Sequence, residues 1–377
     1  MDKNGSTSVN GGQSWMALEG GVSGPSGGGS YTSRFAAIGA SIPEPRVTSE
    51  ELMATTKHNT RVELERLTGI REHHVVREGE DSFTLALGAA RDALTHADCA
   101  AEDLDVLICS SISRHVGGLR MQLEPPVSMS LKQELGAHQA MSYDLSNACA
   151  GMMTGVFILN DLIRQGRIRR GMVVSGEYIS DLGVNAAREV RTVMSKQLAS
   201  LTLGDAGAAA IVERAPEGTP GIEVAGFTTL AEHSRLCLAF PAKTARGETM
   251  FTDARAIHKF AIEASPPLLR EVLDQAGLGF DDIDYFIPHQ TSARAIKKGM
   301  KDLDESFGVA PKHTVVTVDE FGNTASTSHF VALRKYLREG RFKGEDRVLL
   351  LALASGLEVG IIIFTVDELA GRYGHDH

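Results

Sequence analysis

Three side chains, widely separated along a chain of 377 residues, carry the types that acyl-transfer chemistry needs: Cys149, His289 and Asn323. Cys149 follows Asp144-Leu145-Ser146-Asn147-Ala148 and precedes Ala150-Gly151 and a helical stretch, so it reads as the first turn of a helix after a strand. A helix start offers free N–H groups and partial positive charge, which favour thiolate over thiol. The small neighbours Ala148, Ala150 and Gly151 leave room for a substrate carbonyl. His289 closes the apolar run Ile283–Pro288 in Pro288-His289-Gln290, at a strand end, where α/β folds present reactive groups. An imidazole there can donate a hydrogen bond or move a proton near neutral pH. Taken singly, a buried cysteine or a strand-end histidine is commonly structural. Three such residues at matched turns argue for catalysis.

The elements that position them alternate from Arg34 onward. Phe35–Ile42, Leu104–Ser110, Met141–Leu145, Met172–Ser175 and Ala208–Val212 read as buried strands, and Ser82–His96, Val127–Leu135 and Gly151–Gln165 as helices. The pattern restarts after Pro216–Gly221 with the strand Ile222–Leu230 and the helix Ala254–Ala276. The strand Ile283–Pro288 and helices Ser292–Leu303 and Ala325–Glu339 follow, then the strand pair Val348–Ala354 and Val359–Val366. Apolar strands between helices predict sheets covered on both faces.

The halves repeat each other. Ala93–Ala97 with Asp103–Ile108 matches Val272–Ala276 with Asp282–Ile287 at an offset of 179, and Leu162–Ile168 matches Tyr336–Phe342 at 174. This predicts two related α/β units, 34–215 and 222–370, packed as a pseudo-dimer. Adding 174 to Cys149 lands on Asn323, which sets the two residues at equivalent turns.

Composition narrows the rest. With 38 basic and 48 acidic residues the net charge is −10, which argues against a phosphate-backbone binder. No apolar run reaches the ~18 residues of a membrane span. The four cysteines show no CxxC spacing, and with no secretory signal a cytoplasmic location is expected. Residues 1–33, rich in Gly and Ser and holding the one tryptophan, Trp15, read as a disordered leader. Glu72-His73-His74 and His375-Asp376-His377 lack metal-site spacing, so no metal is expected. A basic cluster, Arg294, Lys297, Lys298 and Lys301, follows His289 and suits an acidic carrier protein or a coenzyme A phosphate as well as it suits a solvated helix face.

The ordered set Thr68-Gly69-Ile70, Asp144–Gly151, Leu203–Ala208, Pro288-His289-Gln290, Gly322-Asn323-Thr324 and Ala354-Ser355-Gly356 resembles the thiolase-fold condensing enzymes, most narrowly the β-ketoacyl-acyl carrier protein synthase III group. The resemblance spans about residues 35–367 and implies a duplicated αβαβα five-layered thiolase fold and a homodimer. It implies that Cys149 takes an acyl group from a thioester. His289 and Asn323 would bind the second thioester's carbonyl, and the N–H groups of Cys149 and Gly356 would form the oxyanion hole. It also implies acyl-CoA or acyl-carrier thioesters as substrates and no further cofactor, and gives Arg294 a carrier-docking position. Departures set the subtype: the family's adenine-stacking Trp is Glu63 here, a nearby Arg is Leu67, and the Asn after the motif His is Ser292. Leu123-Glu124-Pro125 resembles the segment of head-to-head acyl-CoA thiolases and polyketide chain-joining enzymes, whose Glu is the base that removes an α-proton. The expected reaction is therefore a Claisen condensation without decarboxylation. A decarboxylating synthase III using a malonyl thioester, or transfer of the acyl group to an alcohol or amine, are the alternatives.

Overall fold

The computed structural model describes residues 16–19, 31–58, 60–243 and 245–374. Its main strands are β1 (Met16–Glu19), β2 (Ser33–Ser41), β3 (Val106–Cys109), β4 (Met141–Asp144), β5 (Arg170–Glu177) and β6 (Ala206–Arg214), followed by β7 (Ile222–Thr229), β8 (Tyr285–Pro288), β9 (His313–Thr314), β10 (Arg347–Ala354) and β11 (Glu358–Thr365). The long helices are α1 (Ser82–Thr95), α2 (Val127–Leu135), α3 (Gly151–Arg164), α4 (Ala254–Ala276), α5 (Ala293–Phe307) and α6 (Ser328–Arg338).

One sheet runs β2-β6-β5-β3-β4 and the other β1-β7-β11-β10-β8-β9. Without β1, the two orders correspond strand for strand. The senses also agree: β3 is parallel to β4 and β5, as β8 is to β9 and β10, and the remaining pairs are antiparallel. This is the duplication visible in the sequence, expressed as topology.

Five layers follow from the burial pattern. Strand side chains alternate between faces, so Val348, Leu350 and Ala352 of β10 join the central core while Leu349 and Leu351 join the outer one. The central core holds α3 and α6, through Met152, Val156, Leu159, Phe330 and Leu333, between the two sheets. Helices α1 and α2 cover the outer face of the first sheet, and α4 and α5 that of the second. Gly155 sets the approach of α3, since a Cβ there would stand 2.4 Å from Val173 Cγ2.

Two features differ from the sequence expectation. Met16–Glu19, inside the Gly/Ser-rich leader, is an antiparallel edge strand on β7, because backbone pairing needs no apolar run; the leader's residues 1–15 and 20–30 lie outside the described residues. A hairpin, Cys237–Pro241 with Glu248–Thr252, and a helix, Ser180–Ala187, fill stretches that carry no clear period in the sequence. Among the described residues no helix is long and apolar enough to cross a membrane, and no group of three or more His, Cys, Asp or Glu could hold a metal ion.

Candidate active site

Cys149 lies in the 3₁₀ turn Ala148–Ala150 that opens α3. The turn begins at Ala148 with φ 43°, a left-handed conformation uncommon for a residue with a Cβ. The second half repeats it at Ala325, φ 50°, in the turn Ala325–Thr327 that opens α6. The offset between these turns is 325 − 148 = 177, whereas at the glycines closing the helices, Gly166 and Gly340, it is 174. Helix α6 has 11 residues against 14 for α3, which accounts for the difference of three. The counterpart of Cys149 is therefore Ser326 and not Asn323; the sequence match lay at the far end of the helices, beyond the shortening.

The two turns pack against one another, and β10, which leads into Gly356, packs on the Cys149 turn. Cys149 and Met250 both border the apolar cluster of Ile179, Leu182, Leu203 and Ala325. Burial, with Cys237 and the Glu177 carboxylate adding to it, pushes the Cys149 thiol up to about 12. The helix start was expected to favour thiolate; desolvation wins here, because the few donors at the turn do not replace the water that a thiolate loses. Gly356 occupies the β10–β11 turn at φ 140°, which L side chains rarely adopt.

His289 continues β8, its N–H donating to the Leu351 carbonyl at 2.8 Å. Its Nδ1 meets Ser328 Oγ at 2.9 Å. With the Ser328 hydroxyl donating, Nε2 carries the proton and is free to donate to a carbonyl. Burial, with the stacked His329 ring 5.6 Å away, pushes His289 down to about 3, so the imidazole is neutral. Ser328 is the first residue of α6, directly after the turn that faces Cys149; this brings His289 and Cys149 into one neighbourhood.

Asn323 enters where two chain segments cross. Its N–H donates to Thr202 at 2.8 Å, and its carbonyl accepts from Gly204 at 3.1 Å. The crossing requires glycines: a Cβ on Gly204 would lie 2.2 Å from the Phe321 carbonyl oxygen, and Gly322 has φ 68°. The side-chain Oδ1 accepts from Ala325 N–H at 3.0 Å, which leaves the amide NH₂ as a donor. Gln290 ties this segment to His289, its Oε1 accepting from Thr317 N–H at 2.8 Å and Nε2 donating to Pro288 and Val315 carbonyls. A cavity of about 90 Å³ between α4 and α5 is lined by His289, by apolar side chains such as Ile262, Phe286 and Leu351, and by the polar His258 and Asp302.

Glu124 is exposed, on the loop before α2, and has no hydrogen-bond or ion-pair partner among the described residues of this chain. Gln122 donates to Pro125 within that loop, and Asp144, at the end of β4, accepts from the N–H groups of Val127 and Ser128. The loop is thus anchored to the strand that leads to Cys149. On α5, Arg294 and Lys297 are exposed and have no ion pair among the described residues, while Lys298 pairs with Asp302 at 2.9 Å and Lys301 with Glu305 at 3.5 Å. The basic cluster accordingly offers two uncompensated cations, not four. Glu63 pairs with Arg66 at the surface.

One group escaped the sequence. Glu177, fully buried, accepts from Ile112 N–H, Ser113 N–H and Oγ, Ser175 Oγ and Ser326 Oγ at 2.7–3.2 Å. It joins the loop that leads to Glu124 with the counterpart of Cys149. Burial raises it, and these donors oppose the rise. Its only sequence signal was an acid closing an apolar strand.

Residues 143–231 match the model of 3-oxoacyl-[acyl-carrier-protein] synthase III, and residues 273–366 the model of that enzyme's C-terminal part. A β-ketoacyl-[acyl-carrier-protein] synthase III of Symbiobacterium thermophilum is 32% identical over 338 residues, covering 86% of this chain and 95% of its own. That of Deinococcus deserti is 30% identical over 327 residues, covering 85% and 87%. In fold, the chain is similar to a Xanthomonas campestris OleA variant (TM-score 0.78, 23% identity, covering 90% of this chain and all of the other). It is also similar to the Aquifex aeolicus 3-oxoacyl-[acyl-carrier-protein] synthase III (TM-score 0.74, 23% identity, 88% and 99%). The chain belongs to the β-ketoacyl-acyl carrier protein synthase III family of thiolase-fold enzymes, which condense acyl thioesters.

Proposed function

We propose that the protein joins two acyl thioesters by a Claisen condensation without loss of CO₂, acting as a homodimer. Cys149 Sγ attacks the first thioester, the C–S bond to the carrier breaks, and the carrier thiol leaves with the proton released by Cys149. The second thioester binds with its carbonyl oxygen between His289 Nε2–H and the Asn323 amide, which stabilise the enolate formed when its α-proton is removed. The carbanion attacks the acyl-Cys149 carbonyl, whose oxyanion faces the N–H groups of Cys149 and Gly356, and Cys149 is released as a thiol.

The observation that carries this reading is the mainly apolar cavity between α4 and α5 that His289 helps to line. A malonyl group has no chain to occupy it, whereas the alkyl tail of a second acyl thioester does. The OleA structure that holds lauric acid and lauroyl-CoA adds support by analogy of fold. The base is Glu124 of the partner subunit. Its exposure in a single chain accords with that role, and so does the bare edge of β4 with the apolar side chains Met121, Leu123, Met129 and Met141 exposed. An acidic acyl carrier protein or a coenzyme A phosphate docks on Arg294 and Lys297. The synthase III relatives favour a decarboxylating second reading.

Product analysis separates the two. Paired plain acyl thioesters should give a β-keto product, lost in Glu124→Gln while Cys149 acylation persists. Product from malonyl thioesters alone would remove Glu124 from its role.

A further inference from the structure

A glycine inside a helix is disfavoured about fivefold against alanine, so each one in this chain needs a reason. Among the described residues, three have a steric one. A Cβ would stand 2.7 Å from Ser41 Oγ on Gly88 of α1, and 2.4 Å from Val173 Cγ2 on Gly155 of α3. On Gly183, in the helix Ser180–Ala187, it would stand 3.0 Å from the Ser200 carbonyl oxygen. Gly299, in the middle of α5, has no such reason. A Cβ there would meet nothing within 4 Å, and the residue does not adopt a positive φ.

The open space belongs to the cavity between α4 and α5. Gly299 lines it one helical turn from both Ala295 and Leu303, while α4 contributes Ala261 and Ile262. His289 lines the same cavity; it is 4% exposed, and its Nε2 has no hydrogen-bond partner among the described residues. The polar lining does not call for a charged guest. Asp302 is paired with Lys298 at 2.9 Å, and burial lowers His258, favouring its neutral form. A buried donor, an uncompensated gap in a helix face and mainly apolar walls suit a carbonyl that carries an alkyl tail.

We infer that Gly299 is a specificity-determining residue for the second thioester. The space left by its missing side chain takes methylenes of a straight alkyl tail whose carbonyl is held at His289, so the residue at this position sets the tail length accepted. The inference deepens the condensation reading above and rests on it. Gly299→Ala takes the room of about one methylene and Gly299→Leu that of at least about two, each buried methylene being worth about fourfold in binding.

The test starts from the full chain with Cys149 already octanoylated and free thioester removed. Butanoyl-CoA or octanoyl-CoA is then added as the second partner, and the β-keto products are followed by mass. The octanoyl-to-butanoyl ratio of kcat/KM should fall about fourfold in Gly299→Ala and about fifteenfold in Gly299→Leu. The ratio of the rates at which the same two thioesters acylate free Cys149 should stay as it is. Gly299→Ala should also raise the melting temperature by about 1–2 °C, since alanine favours the helix; a purely structural glycine would lower it. An unchanged condensation ratio, an equal fall in the acylation ratio, or a lowered melting temperature in Gly299→Ala would each overturn the inference. If Gly299→Leu fails to fold, Gly299→Ala decides. Absence of condensation between plain acyl thioesters in the unaltered protein overturns the proposed reaction and this inference with it, whereas an unchanged ratio overturns the inference alone.

Discussion

If desolvation controls the Cys149 thiol, the resting protein holds almost no thiolate. With the thiol near 12 against an ordinary 9.0, the thiolate fraction at pH 7 is ~10⁻⁵ instead of ~10⁻². Alkylation of Cys149 by iodoacetamide, resolved by peptide mass spectrometry, should then run about a thousandfold slower than that of a small free thiol. Its rate should climb tenfold per pH unit up to pH 10 without a plateau. His289 cannot relieve this at rest, because at about 3 it is too weak a base to hold the proton. Proton loss must accompany attack on the thioester. Fast alkylation at pH 7 with a plateau between pH 6 and 8 would show a resting thiolate–imidazolium pair and refute the reasoning.

Three further outcomes follow from named contacts. Ser328→Ala removes the group that holds His289 Nδ1 and should slow condensation by about 10–100-fold, one buried hydrogen bond, while leaving Cys149 acylation within about threefold; equal loss in both steps would count against a role confined to the second carbonyl. His289, His329 and His73 are buried and lowered to about 3, 4 and 4 from 6.5. The unfolded chain thus binds more protons than the folded one between those values, and stability should fall as pH drops below about 6.5. The slope approaches ~4 kcal/mol per pH unit near pH 5 if all three contribute; a urea midpoint unchanged from pH 7 to pH 5 would contradict this. Reversing the charge at Arg294 and Lys297 should raise KM for carrier-bound or CoA thioesters several-fold in a salt-dependent way, with kcat unchanged; a salt-independent KM would place docking elsewhere.

The sequence determined a good deal about this protein by local rules. Strand and helix periods set Phe35–Ile42 against an observed Ser33–Ser41, and Gly151–Gln165 against Gly151–Arg164. The duplication was legible because each half keeps its own apolar pattern, and the motif residues stood out because glycines such as Gly204 and Gly322 must sit where chain segments cross. Distance and burial stayed out of reach. The offset of 174 pointed Cys149 to Asn323, and only the paired turns at Ala148 and Ala325 showed that Ser326 is the counterpart. The helix start spoke for a thiolate, and the packed surroundings reversed it, since desolvation depends on atoms contributed by distant segments. Ser328 beneath His289 and Glu177 beneath the facing turns join residues 39 and 149 positions apart. No periodicity carries such pairings, because they arise only when separate elements close over a shared interior and the cost of burying polar groups decides which partners must meet.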